Sequence, residues 1–177
     1  PAFEQRPELT YLGFSLAATG EAAFLHRRTD GLMEWVVFQD ASDGKRVVRS
    51  YHYQNGRFYL VDETPWNGYD PRNRPFFQQA ANERKPGWTP SYEFRDYEGR
   101  RPVNGNTYVL PVFTPGGGLA GVWDADFDAS ALCEFLRQLG QETRAPSFVV
   151  EDCGTGQQRL VAHPDEQRLS LSPIPAR

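Results

Sequence analysis

Gln54-Asn55-Gly56 stands between two runs in which apolar residues alternate, Val47 to Tyr53 and Arg57 to Val61. A type I′ turn needs positive φ at both central residues, and Asn-Gly meets that demand at least steric cost. The stretch therefore predicts an antiparallel hairpin, and a hairpin asks for further strands beside it to bury one face. Leu9 to Leu16 and Ala22 to Arg28, separated by Thr19-Gly20, predict a second pair, and Met33 to Phe38 a further strand ahead of a turn at Ala41-Ser-Asp-Gly44. Later, Thr107 to Phe113 and Leu119 to Phe127 flank Thr114-Pro115-Gly116-Gly117-Gly118. Asp128 suits the cap of a helix over Ala129 to Leu139, with Leu132, Phe135, Leu136 and Leu139 on its buried stripe and Gly140 at its end. The expectation is an α+β domain whose central antiparallel sheet of about five or six strands is flanked by helices.

Between the two strand groups lies the chemically densest segment, Tyr69-Asp-Pro-Arg-Asn-Arg-Pro-Phe-Phe77 through Gly87-Trp-Thr-Pro-Ser-Tyr92. It reads as loop, helix and loop. Asn73 is a candidate N-cap, Pro75 falls where a missing N–H costs little, Arg84 and Lys85 suit the negative end of the dipole, and Pro86-Gly87 stops the helix. Phe76, Phe77, Ala80 and Ala81 form one narrow apolar stripe, while Tyr69, Arg72, Arg74, Trp88 and Tyr92 sit on the flanking segments. Beyond it, Tyr92 to Arg95 predicts a short extension and Asp96 to Arg101 a polar loop. Phe148 to Glu151 and Arg159 to Pro164 follow as strands around Cys153-Gly-Thr-Gly156, and Ser170 to Arg177 reads as a ragged end.

The 177 residues suffice for one domain with a real core. Lys and Arg total 19 against 23 Asp and Glu, a net charge of −4 that leaves no basic field for nucleic acid. No apolar run approaches the roughly 20 residues that cross a bilayer. Two cysteines, Cys133 and Cys153, match neither a zinc site nor a disulfide-rich scaffold; they are two independent thiols or, in an oxidising compartment, one bridge.

Three patterns invite chemistry and fall short of it. Gly116-Gly-Gly118-Leu-Ala-Gly121 matches the dinucleotide string, but it opens a strand where the pyrophosphate site needs a helix N-terminus. Asp124, Asp126 and Asp128 alternate as in a calcium loop, yet Ala129 and Phe135 stand where that loop needs Gly and a bidentate Glu. His26, His52 and His163 are far apart in sequence and adjoin no nucleophile, so they read as strand or turn residues. No catalytic residue, cofactor or metal is expected. Asp124 and Asp126 do share one strand face, opposite Trp123, Ala125 and Phe127, and two like charges there need a donor, a cation or water.

A guanidinium near tyrosine hydroxyls can hold a carboxylate through two parallel hydrogen bonds, and a buried aspartate can receive an ammonium. Arg74, with Tyr69 and Tyr92, fits the first role, and Asp126 the second. The competing reading pairs Arg72 and Arg74 with acids such as Asp70 and spends the aromatics on the core. From the residues alone both stand.

The pattern from Tyr69 to Phe77, the Trp88-Thr-Pro-Ser-Tyr92 loop and Gly121-Val-Trp-Asp-Ala-Asp126 resembles, in that order, the double Cache sensor domains of bacterial receptors. The resemblance covers roughly Tyr69 to Leu139. It implies a PAS-like fold, no catalysis, and the periplasmic or extracellular, ligand-binding part of an inner-membrane signal-transduction receptor that works as a dimer. The implied ligand is an amino acid or a related carboxylate or amine, with Tyr69, Arg74, Phe76, Phe77, Tyr92 and Asp126 at the family's contact positions and Trp88 and Asp124 beside them. Phe76 and Phe77 replace the family's Trp and Tyr, which removes two hydrogen-bond donors and leaves another carboxylate, or an amine with an apolar body, open equally with an ordinary amino acid. The resemblance also implies a membrane-distal module over residues 1–140 and the start of a second module or a linker over 141–177, where a strand pair ends in Ala162-His-Pro164. A protein-interaction or structural module without a small ligand is the alternative, with a soluble enzyme behind it.

Overall fold

The structure is a computed structural model describing residues 3, 9–28, 30–41, 45–66, 68–94, 103–154, 156–165, 168–169 and 174–175. Residues 42–44 of the anticipated turn, the polar loop over 96–101 and most of the end from Ser170 fall outside that set. The chain divides into two compact units, one of residues 1–87 and 108–126, the other of 88–107 and 127–177.

The first unit carries β1 (Tyr11–Leu16), β2 (Ala22–Arg27), β3 (Met33–Asp40), β4 (Arg46–Gln54), β5 (Arg57–Pro65), the helix α1 (Pro75–Glu83) and most of β8 (Val103–Phe113) and β9 (Leu119–Asp128). Its strands run in the order β5-β4-β3-β2-β1-β9-β8, so this unit alone exceeds the expected five or six. The Asn55-Gly56 turn forms as the sequence predicts. Asn55 has φ 50° and Gly56 φ 80°, and Gln54 pairs with Arg57 across them. Antiparallel registers then fix the faces, because directly paired residues point the same way. Gly13 pairs with Phe24 and Asp124, and Phe24 pairs with Val36. Ala22, Phe24, Val36 and Phe38 are buried on that face with Tyr69 closing over them. Phe38 lies edge-on to Phe24 at 5.9 Å and 5.0 Å from Tyr69.

Helix α1 departs from the expected start. A single 3-10 turn, Pro71–Asn73, precedes it, and Asp70 rather than Asn73 supplies the side-chain cap, its Oδ1 accepting from the Arg72 N–H at 2.9 Å. Arg74 occupies the N-cap of α1 in an extended conformation, with Pro75 in the first turn as anticipated. The helix ends before Pro86-Gly87, at Glu83, because Arg84 turns left-handed at φ 55° and its N–H reaches the Ala80 carbonyl. Phe76, Phe77 and Ala80 are buried, so the apolar stripe is real and is spent on packing.

The second unit contains Trp88 of the short β6 (Gly87–Trp88), β7 (Tyr92–Phe94), the beginning of β8, and α2 (Ala129–Thr143), followed by β10 (Val149–Gly154), β11 (Gln157–Ala162) and β12 (Ile174–Pro175) in one antiparallel sheet. Strand β7 pairs with β8 through Tyr92 and Gly105. A side chain at Gly105 would strike the Phe94 ring at 2.5 Å, and its absence lets that ring cross the strand. Asp128 caps α2 as expected, accepting from the Ser130 N–H at 2.9 Å. The helix runs through Gly140 to Thr143, where Arg144 turns left-handed. A helical glycine costs only about 1 kcal/mol against alanine, too little to end a helix held by packing. Cys133 and Leu136, with Leu132 beside them, pack on Ala162, whereas Phe135, expected on the buried stripe, is exposed. Both cysteines are free thiols, Cys133 buried and Cys153 exposed.

Candidate functional site

Within the first unit the inner face of the sheet carries a row of polar residues in mutual register. Asp126 pairs with Tyr11, Tyr11 with His26, His26 with Glu34, and Glu34 with His52. The Tyr11 and His26 rings stack with centroids 4.2 Å apart and planes 3° from parallel. Glu34 lies between the two histidines, its carboxylate oxygens 3.5 Å from His26 Nδ1 and 3.9 Å from His52 Nε2. The hydrogen bond from His26 holds the Glu34 carboxyl below the usual range, against the opposing effect of burial, with smaller help from the His26 charge, Ser50 and Arg28. Sequence distance hid this cluster; the cross-strand register made it. Pairing β2, β3 and β4 by their alternation would have been the signal.

One row further along the same face sits Asp124. It is 2% exposed, and neither carboxylate oxygen has a hydrogen-bond partner among the described residues. Its place is created by Gly13 on β1, where an added Cβ would lie 2.3 Å from Phe24 Cδ1 and 2.9 Å from Asp124 Oδ2. Phe24 and Asp124 thus occupy room that any side chain on residue 13 would fill. Burial, and after it the charge of Asp126, push the Asp124 carboxyl well above the ordinary carboxylate range. Ser15, on the same face, buries a hydroxyl that also has no partner among the described residues. Asp126 is only half-buried. The face therefore holds two adjacent carboxyls in unlike environments, the deeper one favouring its neutral form.

The remaining residues singled out from the sequence divide by unit. In the first, Tyr69 is buried against Phe24, with ring centroids 6.4 Å apart, so it packs on the ring that crosses Gly13 beside Asp124. Arg74 is half-buried at the head of α1, and Phe76 and Phe77 are buried with rings 6.3 Å apart. Arg72, by contrast, takes the structural role open to both arginines. Its Nη2 and Nε donate to Asp70 at 2.7 and 3.0 Å, and its Nη1 reaches the Ala17 and Ala18 carbonyls at 3.4 and 3.1 Å. In the second unit Trp88 is 55% exposed with its ring 5.1 Å from Phe127, and the Tyr92 hydroxyl lies 2.7 Å from Thr107 Oγ1.

His163 follows β11 as a turn residue, with Nδ1 accepting from the Asp165 N–H at 2.9 Å. Among the described residues no three His, Cys, Asp or Glu side chains are grouped to hold a metal ion, and no helix is long and apolar enough to cross a membrane.

No family model and no curated protein matches this sequence. Solved structures do. The ligand-binding domain of the Pseudomonas aeruginosa amino acid chemoreceptor PctC, in complex with GABA, is 22% identical over 96% of this chain and 55% of its own, with a TM-score of 0.50. A ligand-binding domain solved with asparagine is 16% identical over 96% and 52%, also at 0.50. The periplasmic sensory domain of a Campylobacter jejuni chemoreceptor is 12% identical over 94% and 54%, at 0.54. This chain thus has the fold of chemoreceptor sensory domains, the PAS-like fold expected of a Cache domain, and spans about half the length of the solved chains it matches.

Proposed function

We propose that this chain is the extracytoplasmic, small-molecule-sensing part of a bacterial membrane receptor, binding an amine- or carboxylate-bearing ligand and catalysing nothing itself. The observation that carries the reading is the pair Asp124 and Asp126 on the inner sheet face, the first buried without a partner among the described residues, in a fold shared with domains solved around GABA and asparagine. Both of those molecules carry an ammonium and a carboxylate. In this reading, within the first unit, Asp126 receives the ammonium and Arg74 the carboxylate, Tyr69 donates a hydrogen bond, and Phe76 and Phe77 exclude water. Residues 1–140 are the sensing module and 141–177 the start of a second. The receptor is a dimer, and ligand binding biases two of its arrangements by whatever difference in affinity it has for them.

A ligand that binds only the folded state raises the melting temperature by mass action. Thermal denaturation against amino acids, small carboxylates, amines and purines is therefore the first test, and a shift confined to one chemical class is the expected result. Calorimetry on Arg74→Ala then checks the anionic end. Loss of a two-point guanidinium contact weakens a carboxylate ligand by about ten-fold or more while the fold survives; unchanged affinity removes Arg74 from the site.

The alternative of a protein-binding module has one observation in its favour. Strand β5 is exposed along its whole length, including Phe58, Tyr59, Leu60 and Val61. A protein partner captured by wild type and lost in Leu60→Glu, with no small-molecule shift in melting temperature, would favour it.

A further inference from the structure

We propose that Asp124 is a second ligand-binding carboxylate, and that with Asp126 it takes the ammonium group of an amine ligand between two oxygen-bearing side chains. The inference rests on the sensing role above and narrows its ligand to a primary amine. Three features of the face converge on it. Asp124 is buried with both oxygens unpartnered among the described residues, which costs free energy, and the Ser15 hydroxyl on the same face is unpartnered there too. Gly13 is what lets an ionisable side chain be seated this deep, since the Asp124 carboxylate and the Phe24 ring together occupy the place its Cβ would take. Asp126 stands two residues along the same face, near enough for its charge to act on Asp124. A purely structural aspartate would be expected to find a donor, as Asp70 does in Arg72.

The coupling between the two carboxyls sets the chemistry of binding. In the empty site two adjacent carboxylates repel and the deeper one is desolvated, so Asp124 holds its proton. An arriving ammonium supplies the charge and the N–H donors that the ionised form lacks. Asp124 then loses its proton to solvent; no bond within the ligand changes, and the net exchange is one bound ammonium for one released proton. The other titratable groups on this face are Tyr11 on β1, His26 on β2, Glu34 on β3 and His52 on β4, with Tyr69, ahead of α1, packed on Phe24. The Glu34 carboxyl is held below the usual range by its hydrogen bond from His26, so it has no proton to give near neutral pH, and the Asp124→Asn variant separates Asp124 from His26 and His52 as the proton's source.

The test is calorimetry on the 177-residue chain with four probes, GABA, asparagine, 1,4-diaminobutane and succinate, at pH 6 and 7 in phosphate and in Tris. For at least one amine probe the apparent enthalpy should differ between the buffers by an amount corresponding to about one proton released. Its affinity should rise by up to about ten-fold per pH unit. Asp124→Asn should abolish the buffer dependence and weaken that probe by about ten-fold. Tight amine binding without proton release, unchanged in Asp124→Asn, overturns the inference and leaves the sensing role intact, as does binding of succinate alone. Absence of binding by these probes and by the wider melting panel overturns the sensing role itself. If Asp124→Asn fails to fold, His26→Gln and His52→Gln decide: proton release kept in both supports Asp124 as its source, and release lost in either overturns the inference.

Discussion

Two aspartates of the same unit, Asp70 and Asp124, have been given opposite surroundings. Asp70 stands at the corner before α1, where its carboxylate accepts from the Arg72 backbone N–H and guanidinium while Arg72 also ties two carbonyls of the β1–β2 turn. Gly20, at φ 73°, lets that turn come close: a Cβ there would stand 3.0 Å from both Asp70 Oδ1 and Arg72 Nε. Asp124 lies on the sheet floor, fully buried, with no donor among the described residues. The difference separates a charge that holds the fold together from one the fold carries at a cost. Proteins retain costly buried groups where function needs them.

The sharpest way to break the contrast is at Gly13. Substitution by alanine drives a methyl into the Phe24 ring and the Asp124 carboxylate, and overpacking at a site framed by paired strands should cost about 3 kcal/mol or more. Urea denaturation should show the midpoint falling with little change in slope.

Next comes Asp124→Asn, which should move stability in the opposite direction. Burial raises this carboxyl in the folded chain and disfavours its charged form, so the amide relieves a penalty that the unfolded chain does not carry. For a carboxyl raised in the folded state, the native chain binds the extra proton between the unfolded and folded pKa values, and wild-type stability falls as pH rises through that window. The variant should therefore match wild type at strongly acid pH and exceed it near neutrality by roughly 1–3 kcal/mol. Equal stability at every pH would mean that Asp124 is ionised and matched.

The smallest effect belongs to Asp70→Ala, with a loss of about 1 kcal/mol from the missing cap. Here the sign reverses. Arg72 holds the Asp70 carboxyl below the usual range, chiefly through its side-chain hydrogen bond, so the stabilisation is complete above the ordinary aspartate range and disappears as pH falls through the lowered value. Wild type and variant should converge in acid for this site as well, but from the other side: here wild type is the more stable at neutral pH. Melting curves of the two aspartate variants across acid pH would reveal both slopes together.

What the sequence determined by itself is whatever depends on residues within a few positions of one another. The Asn55-Gly56 turn, the Asp128 cap and the placing of Asp124 with Asp126 on one face follow from local dihedral preferences and the period of two in a strand. The pattern around Tyr69 to Phe77 also led to the right fold. Tertiary structure alone decided that Phe135 would face solvent, that His26 and His52 would flank Glu34, and that Asp124 would be sealed beside Gly13 under Phe24. Each of these depends on strand register or packing between segments distant in sequence. One residue of slip would have sent Asp124 to the opposite face, and nothing within the stretch from Gly121 to Asp126 specifies which strand lies beside it or which glycine makes room.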